Sequence, residues 1–393
     1  RVASVSMHIK IYICVPGNEA KRRGVFYSHA DRYSQERSSA AETIMVKSGK
    51  LLLSLFAALL LASGQPTPPA AENAPAYSVP PPSPGSPPEA LVHPADATEQ
   101  TPGSENGYFR EVTTILSNAP CARAVDIVIT GDGYTLPDLA HGGSFDVHAG
   151  QFIRTFFSEA PFSELKPLCN VHLVRAVSHE TGADRSQHED TRDTAFDAAY
   201  GAYGIDRLLV IRRPEKLRRT VLLAPAQDIV VVLVNDARYG GSGSMIPAGT
   251  RSIPAPVYAA GNPNGIRIAL HELGHSLANL ADEYVDESIA AHYSLAYVRD
   301  KPNVDTTSDL GKIKWKAFFE TEPGATNVIS AWEGGYYRSR GIWRPQEHCI
   351  MRSLSHPFCH VCRKELCRAV YRIAGRRFDE AEYHREHPVL REP

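Results

Sequence analysis

Positive charge is concentrated nowhere in this chain. Its 42 Lys and Arg stand against 44 Asp and Glu, the formal net charge is −2, and no Lys/Arg block stands out. Neither a nucleic-acid partner nor a polybasic membrane contact is therefore indicated. A long apolar run is missing as well. The candidate at residues 51–61 is too short to cross about 30 Å of hydrocarbon comfortably. No internal repeat is evident, and Gly131-x-Gly133 lacks the third glycine of a dinucleotide-binding loop.

The short apolar run makes sense in its setting. It follows Met45-Val46-Lys47-Ser48-Gly49-Lys50 and leads into Ala62-Ser63-Gly64. A basic start, an apolar stretch of about a dozen residues and a small-residue end form a secretory signal peptide, read here as 45–64. No cysteine follows the run, which argues against a lipoprotein anchor, and no stable membrane span is expected after cleavage. Residues 1–44 are expected to be upstream sequence translated from too early a start. The expected location is secreted or periplasmic. Residues 65–106, rich in Pro, Ala, Ser, Glu and Gly, read as an extended linker, with a propeptide as the alternative.

Export changes how the cysteines are read. Apart from Cys14, the six are Cys121, Cys169, Cys349, Cys359, Cys362 and Cys367, an even set in a compartment that permits disulfides. Disulfides are expected ahead of the alternative, in which Cys359-His360-Val361-Cys362 starts a structural zinc knuckle.

At 393 residues, 43% hydrophobic and 22% charged, the chain can form one large domain or two small ones. The folded part is expected over 107–375, with 376–393 a charged, peripheral tail. Residues 125–130, 171–177, 208–211 and 229–234 read as strands, the last continuous enough to be central and buried. Residues 145–157 and 362–373 carry helical spacing. Strands alternating with helices argue for an α/β fold. Tyr239-Gly240-Gly241-Ser242-Gly243 is either a flexible loop or a sheet edge where a peptide could add as a strand.

The most informative stretch is His271-Glu272-Leu273-Gly274-His275, an HExxH pattern. On a helix the two histidines differ by about 40° in azimuth and one turn in height, so both can hold one metal ion. Glu272 then sits beside the site as general base for a zinc-bound water. Ile266, Leu270, Leu273, Leu277 and Leu280 form an apolar stripe roughly opposite the histidines. Gly274 costs about 1 kcal/mol of helix propensity, which suggests that a backbone or a substrate comes close there.

One catalytic zinc needs a third protein ligand, and Asp282 and Glu283 are the nearest acids. On a continued helix Asp282 would lie roughly 10 Å further along the axis, so the helix must break first. Asn279 is a suitable breaking residue, because it tolerates the left-handed conformation. Asp282 is expected ahead of Glu283. The competing reading is that both acids only hydrogen-bond the histidines and a more distant residue is the ligand. Tyr284, Tyr239, Tyr336 and Tyr337 are all candidates to assist at an oxyanion.

The stretch from His271 to Tyr284 resembles the signature of the M64 peptidases, a group named after a bacterial IgA-cleaving proteinase. The similarity extends to residues 125–134, Pro161-Phe162, Asn170-Val171-His172, residues 239–243 and the late block around Met351 and Cys359. It covers roughly 110–370. The resemblance implies a metzincin-like zincin domain with a mixed sheet, an active-site helix and a smaller C-terminal subdomain. It implies His271 and His275 as zinc ligands, Glu272 as base, Met351 as the floor of the site, and a polypeptide substrate. Metzincins place their third ligand six residues beyond the second histidine, where this chain has Ala281, so here it shifts to 282 or 283. The rival functions are a metal-dependent amidase acting on a non-peptide or cell-wall amide, and a non-catalytic binding module on the same fold.

Overall fold

Every position of Ile229–Val234 is a branched aliphatic residue, and the two faces of that strand feed two different cores. The computed structural model describes residues 109–185, 190–248, 251–321 and 328–389. The upstream segment, signal peptide and linker expected over 1–106 lie outside the described residues.

Six strands form one mixed sheet: β1 (Phe109–Ser117), β2 (Val125–Asp132), β3 (Cys169–Ala176), β4 (Ile229–Val234), β5 (Gly241–Ser242) and β6 (Val257–Ala259), in the spatial order β1-β3-β2-β4-β6-β5. The inner four run parallel, and each edge strand is antiparallel to its neighbour. Central parallel strands are covered on both sides, which explains why they read as unbroken apolar runs.

On one face Ile127, Ile129, Val231 and Leu233 pack against helix α1 (Ser144–Phe156), through Phe145, Phe152 and Phe156, and against helix α3 (Gly265–Ala278), through Leu270 and Leu273. On the other, Val128, Val230, Val232 and Val234 meet Phe196, Ile253, and Leu217 and Val221 of helix α2 (Pro214–Val221). Each such side chain contributes about 1.5–3 kcal/mol when fully buried. The stripe residues Leu270, Leu273, Leu277 and Leu280 are buried.

Two buried charges organise the sheet ends. Arg175 on β3 pairs with Glu111 on β1 at 2.7 Å and Asp146 on α1 at 2.5 Å. Asp132, at the end of β2, accepts the N–H groups of Phe196 and Ala198 at 2.8 Å each and the Thr194 hydroxyl at 2.9 Å. It thereby holds the 194–198 loop over the sheet.

Beyond α3 the chain forms a smaller region. A hairpin of β7 (Trp332–Gly335) and β8 (Arg338–Arg344) shares a third cluster with Tyr293, Val298 and Val304. Helix α4 (His360–Ile373) joins the α3 core through Val361, Cys362 and Leu366.

Some expectations differ from what forms. Of 208–211 only Val210–Ile211 is a strand, paired with Ala198–Ala199 outside the main sheet. The stretch 376–393 is not simply peripheral: helix α5 (Glu380–Glu386) buries Tyr383 and His384, and Glu380 meets Lys364 of α4 at 2.5 Å. The expected disulfides do not form. All six cysteines of the described residues are free, and three of them, Cys349, Cys359 and Cys362, converge on one point together with Glu283 rather than pairing. Among the described residues, no helix is long and apolar enough to cross a membrane.

Candidate metal centre

Helix α3 starts directly behind β6. A Cβ at Gly265 would stand 2.4 Å from the Ala259 carbonyl oxygen, so only glycine permits this tight strand-to-helix turn. The helix ends where Asn279 adopts φ 53°, ψ 31°, the left-handed region. The chain then doubles back, and the carbonyl of Leu280 reaches His275 Nδ1 at 2.8 Å.

Both imidazoles are oriented through the nitrogen that faces away from the site. His271 Nδ1 lies 3.0 Å from the carbonyl oxygen of Ile350. Each Nδ1 therefore carries the proton and donates it to a carbonyl, and each Nε2 is left as a bare lone pair. These two Nε2 atoms are 3.1 Å apart. Asp282 Oδ1 stands 3.0 Å from His271 Nε2 and 3.3 Å from His275 Nε2.

Asp282 arrives on an extended segment fastened from both sides. Asn303 accepts the Ala281 N–H at 2.7 Å and donates to the Ala281 carbonyl at 2.9 Å. The Glu283 N–H bonds to the Met351 carbonyl at 2.8 Å. The turn of the β7–β8 hairpin supplies the rest: the Tyr336 N–H donates to the Asp282 carbonyl and the Tyr337 N–H to the Tyr284 carbonyl. Tyr336 and Tyr337 both have positive φ, 49° and 70°, a conformation of order 1–3 kcal/mol per residue that the surrounding pairing sustains. The Tyr337 hydroxyl donates to Asp282 Oδ2.

Three acceptor atoms facing one another without a proton repel unless a cation joins them. Burial opposes charging His271, but the Asp282 carboxylate raises it to about 9. The cluster alone thus takes up a proton, and a metal ion competes for that place with a larger charge. The spacing fits: bonds of about 2.0–2.1 Å to a tetrahedral ion put donor atoms roughly 3.3 Å apart. Two imidazoles and one carboxylate also leave a fourth position open, the donor set of a catalytic zinc site.

Glu272 is buried beside its histidine, and burial pushes its carboxyl above the ordinary range. Its buried Oε2 faces the backbone of Gly243. A Cβ at Gly243 would stand 2.3 Å from that oxygen, so the glycine leaves room for the carboxylate. Gly274 is explained by Met351, whose Sδ would lie 2.7 Å from a Cβ there. The close approach at Gly274 is thus made by a side chain, the Met351 thioether beneath the helix, and not by the backbone or substrate expected. A cavity of about 310 Å³ opens on His275 and Asp282, walled by Tyr293, Tyr297, Lys301 and Tyr336.

The structure brings His271, His275 and Asp282 together, while Glu283 faces the cysteine group instead. Of the four tyrosines, Tyr337 is committed to Asp282, Tyr336 lines the cavity, Tyr284 packs edge-on against Tyr337, and Tyr239 is half-buried. The outer side of β5 is not open at Gly241. Its N–H donates to the Arg207 carbonyl at 3.3 Å, and Ser242 Oγ donates to the Leu209 carbonyl at 2.6 Å. Sequence reasoning missed Asn303 and the orienting carbonyl of Ile350. No local pattern marks either one, since each acts through a contact distant in sequence.

A family model described as IgA Peptidase M64 matches residues 113–324 and 320–370. No curated protein matches the chain.

Proposed function

The chain belongs to the IgA Peptidase M64 family, and from that premise we propose that it is a secreted or periplasmic zinc metalloendopeptidase. Membership makes it a peptidase, whose substrate is a polypeptide. The reading of zinc as the ion rests on the donor set, with His271, His275 and Asp282 holding it. Bound there, zinc supplies a water with a pKa near 7 and a Lewis acid for the scissile carbonyl.

The remaining work belongs to the chain's own groups. Glu272 takes the proton of the attacking water on its carboxylate and returns it to the leaving amine. The carbonyls of Ile350 and Leu280 hold both imidazoles in the Nδ1–H tautomer. Tyr337 holds Asp282 through its second carboxylate oxygen. The cavity beside His275 receives a substrate side chain, with the tyrosine rings as walls. Met351, buried under Gly274, supports a metzincin-like arrangement, with the third ligand moved one residue along. The export signal read over 45–64 supports the extracytoplasmic setting.

The convergence of three bare donor atoms carries this reading. The test is casein cleavage by the purified protein, with product termini read by mass spectrometry. A chelator should abolish cleavage and added zinc should restore it. Full activity after complete metal removal would sink the proposal.

A further inference from the structure

Glu283 is completely buried, and among the described residues its Oε2 atom has no hydrogen-bond partner. Three buried cysteines, Cys349, Cys359 and Cys362, surround it, and one ligand atom from each of the four residues lies within 4.8 Å of all the others. Cys349 Sγ and Cys362 Sγ are 3.8 Å apart, and Cys362 Sγ is 3.5 Å from Glu283 Oε1. Tetrahedral zinc, with bonds of about 2.3 Å to sulfur and 2.0–2.2 Å to oxygen, sets these separations at about 3.8 and 3.6 Å. A disulfide needs about 2.05 Å. It would also leave one thiol over and do nothing for Glu283 Oε2.

Two of the three sulfurs lie at the start of a helix. Cys359 is the N-cap residue of α4 and Cys362 lies in its first turn, where the helix dipole stabilises negative charge. The Cys359 N–H points at Cys349 Sγ at 3.4 Å. Asn303 Nδ2 donates to Glu283 Oε1 at 2.8 Å and so aims the carboxylate.

We infer that Cys349, Cys359, Cys362 and Glu283 form a second, closed zinc site. Its role is to set the first. Cys349 is a ligand here, the carbonyl of Ile350 next to it orients His271, and that of Met351 binds the Glu283 N–H. Glu283 is joined by one peptide bond to Asp282. Zinc at the cysteine group therefore fixes both the floor and the third donor of the histidine site. The inference rests on the thiol geometry alone and does not require the peptidase reading.

The experiment is a metal count on the purified full chain after dialysis. Two zinc ions per chain are expected. His271→Ala/His275→Ala should keep one, and Cys359→Ser/Cys362→Ser should lose the ion that the histidine variant keeps. Should the serine variant not fold, the wild type still decides. Cobalt-substituted protein should show sulfur-to-cobalt charge-transfer absorption, and Cys349, Cys359 and Cys362 should become open to alkylation only after chelation. Glu283→Gln should weaken zinc at the histidine site by about 10- to 100-fold. A single zinc lost entirely with the histidines overturns the inference, as does a disulfide-linked Cys349–Cys362 peptide from native protein. Failure of the peptidase reading looks different: no cleavage, with the metal count unchanged.

Discussion

Asp282 and Glu283 are consecutive residues whose carboxylates serve separate clusters. Asp282 Oδ1 stands 3.0 Å from His271 Nε2, while Glu283 Oε1 stands 3.5 Å from Cys362 Sγ. An extended backbone sends neighbouring side chains to opposite faces, so this segment can divide its two acids between two sites. It is held in that form by Asn303, Met351 and the hairpin turn.

Glu272→Gln keeps the shape of the side chain and removes its ability to take a proton. Cleavage should fall by about 10²–10⁴-fold, the usual contribution of a general base, with zinc content unchanged. Activity and metal content measured on the same preparation check this. A variant that cleaves normally would remove Glu272 from the mechanism.

Gly243→Ala tests the same carboxylate from its other side. The new methyl would stand 2.3 Å from Glu272 Oε2, so the carboxylate must turn away. Misplacement of a catalytic group by about 1 Å can cost roughly 10²-fold, and a loss of that order in kcat is expected with zinc retained. Adding Gly243→Ala to Glu272→Gln should cost little more, because both act on one group. Additive losses would mean that the glycine matters for another reason.

How much of this was legible in the sequence follows from range. His271 and His275 are placed by helical spacing alone, and the break at Asn279 followed from distance, since a continued helix carries Asp282 out of reach. Choosing between Asp282 and Glu283 needs partners from elsewhere, namely Asn303, Tyr337 and the cysteine group, and no local pattern encodes them. Strand β4 was legible because a doubly buried strand is apolar throughout, whereas β6 has three residues, too few for a period. The cysteines misled for a physical reason. An oxidising compartment favours pairing, but the fold gathers three thiols around a carboxylate.

Tyr337→Phe removes the hydroxyl that donates to Asp282 Oδ2 and leaves a buried carboxylate oxygen without its donor. Partners behind a metal ligand typically carry about 10–100-fold in affinity. Zinc affinity at the histidine site should fall by that factor in a chelator competition. Glu272 is untouched, so activity at saturating zinc should suffer less than in Glu272→Gln. Unchanged affinity would show that the hairpin holds Asp282 through its backbone alone.

Asp132 belongs to neither cluster, and its titration makes stability depend on pH. Burial pushes its carboxyl up to about 6 against donation from Phe196, Ala198 and Thr194, while the ordinary value is 3.8. Between those two values the folded chain keeps the proton that the unfolded chain has released. Stability from this group therefore falls as pH rises from about 4 to about 6 and is level above that. The difference amounts to roughly 3 kcal/mol at most, at about 1.36 kcal/mol per pKa unit. Asp132→Asn cannot titrate, so its stability should decline less across this window, even though it loses an acceptor for the 194–198 loop. Denaturant unfolding of both proteins at matched zinc and pH is the measurement, since metal release is common to both and cancels in the difference. Parallel curves from pH 4 to 6 would show that the hydrogen bonds offset the burial of the carboxylate.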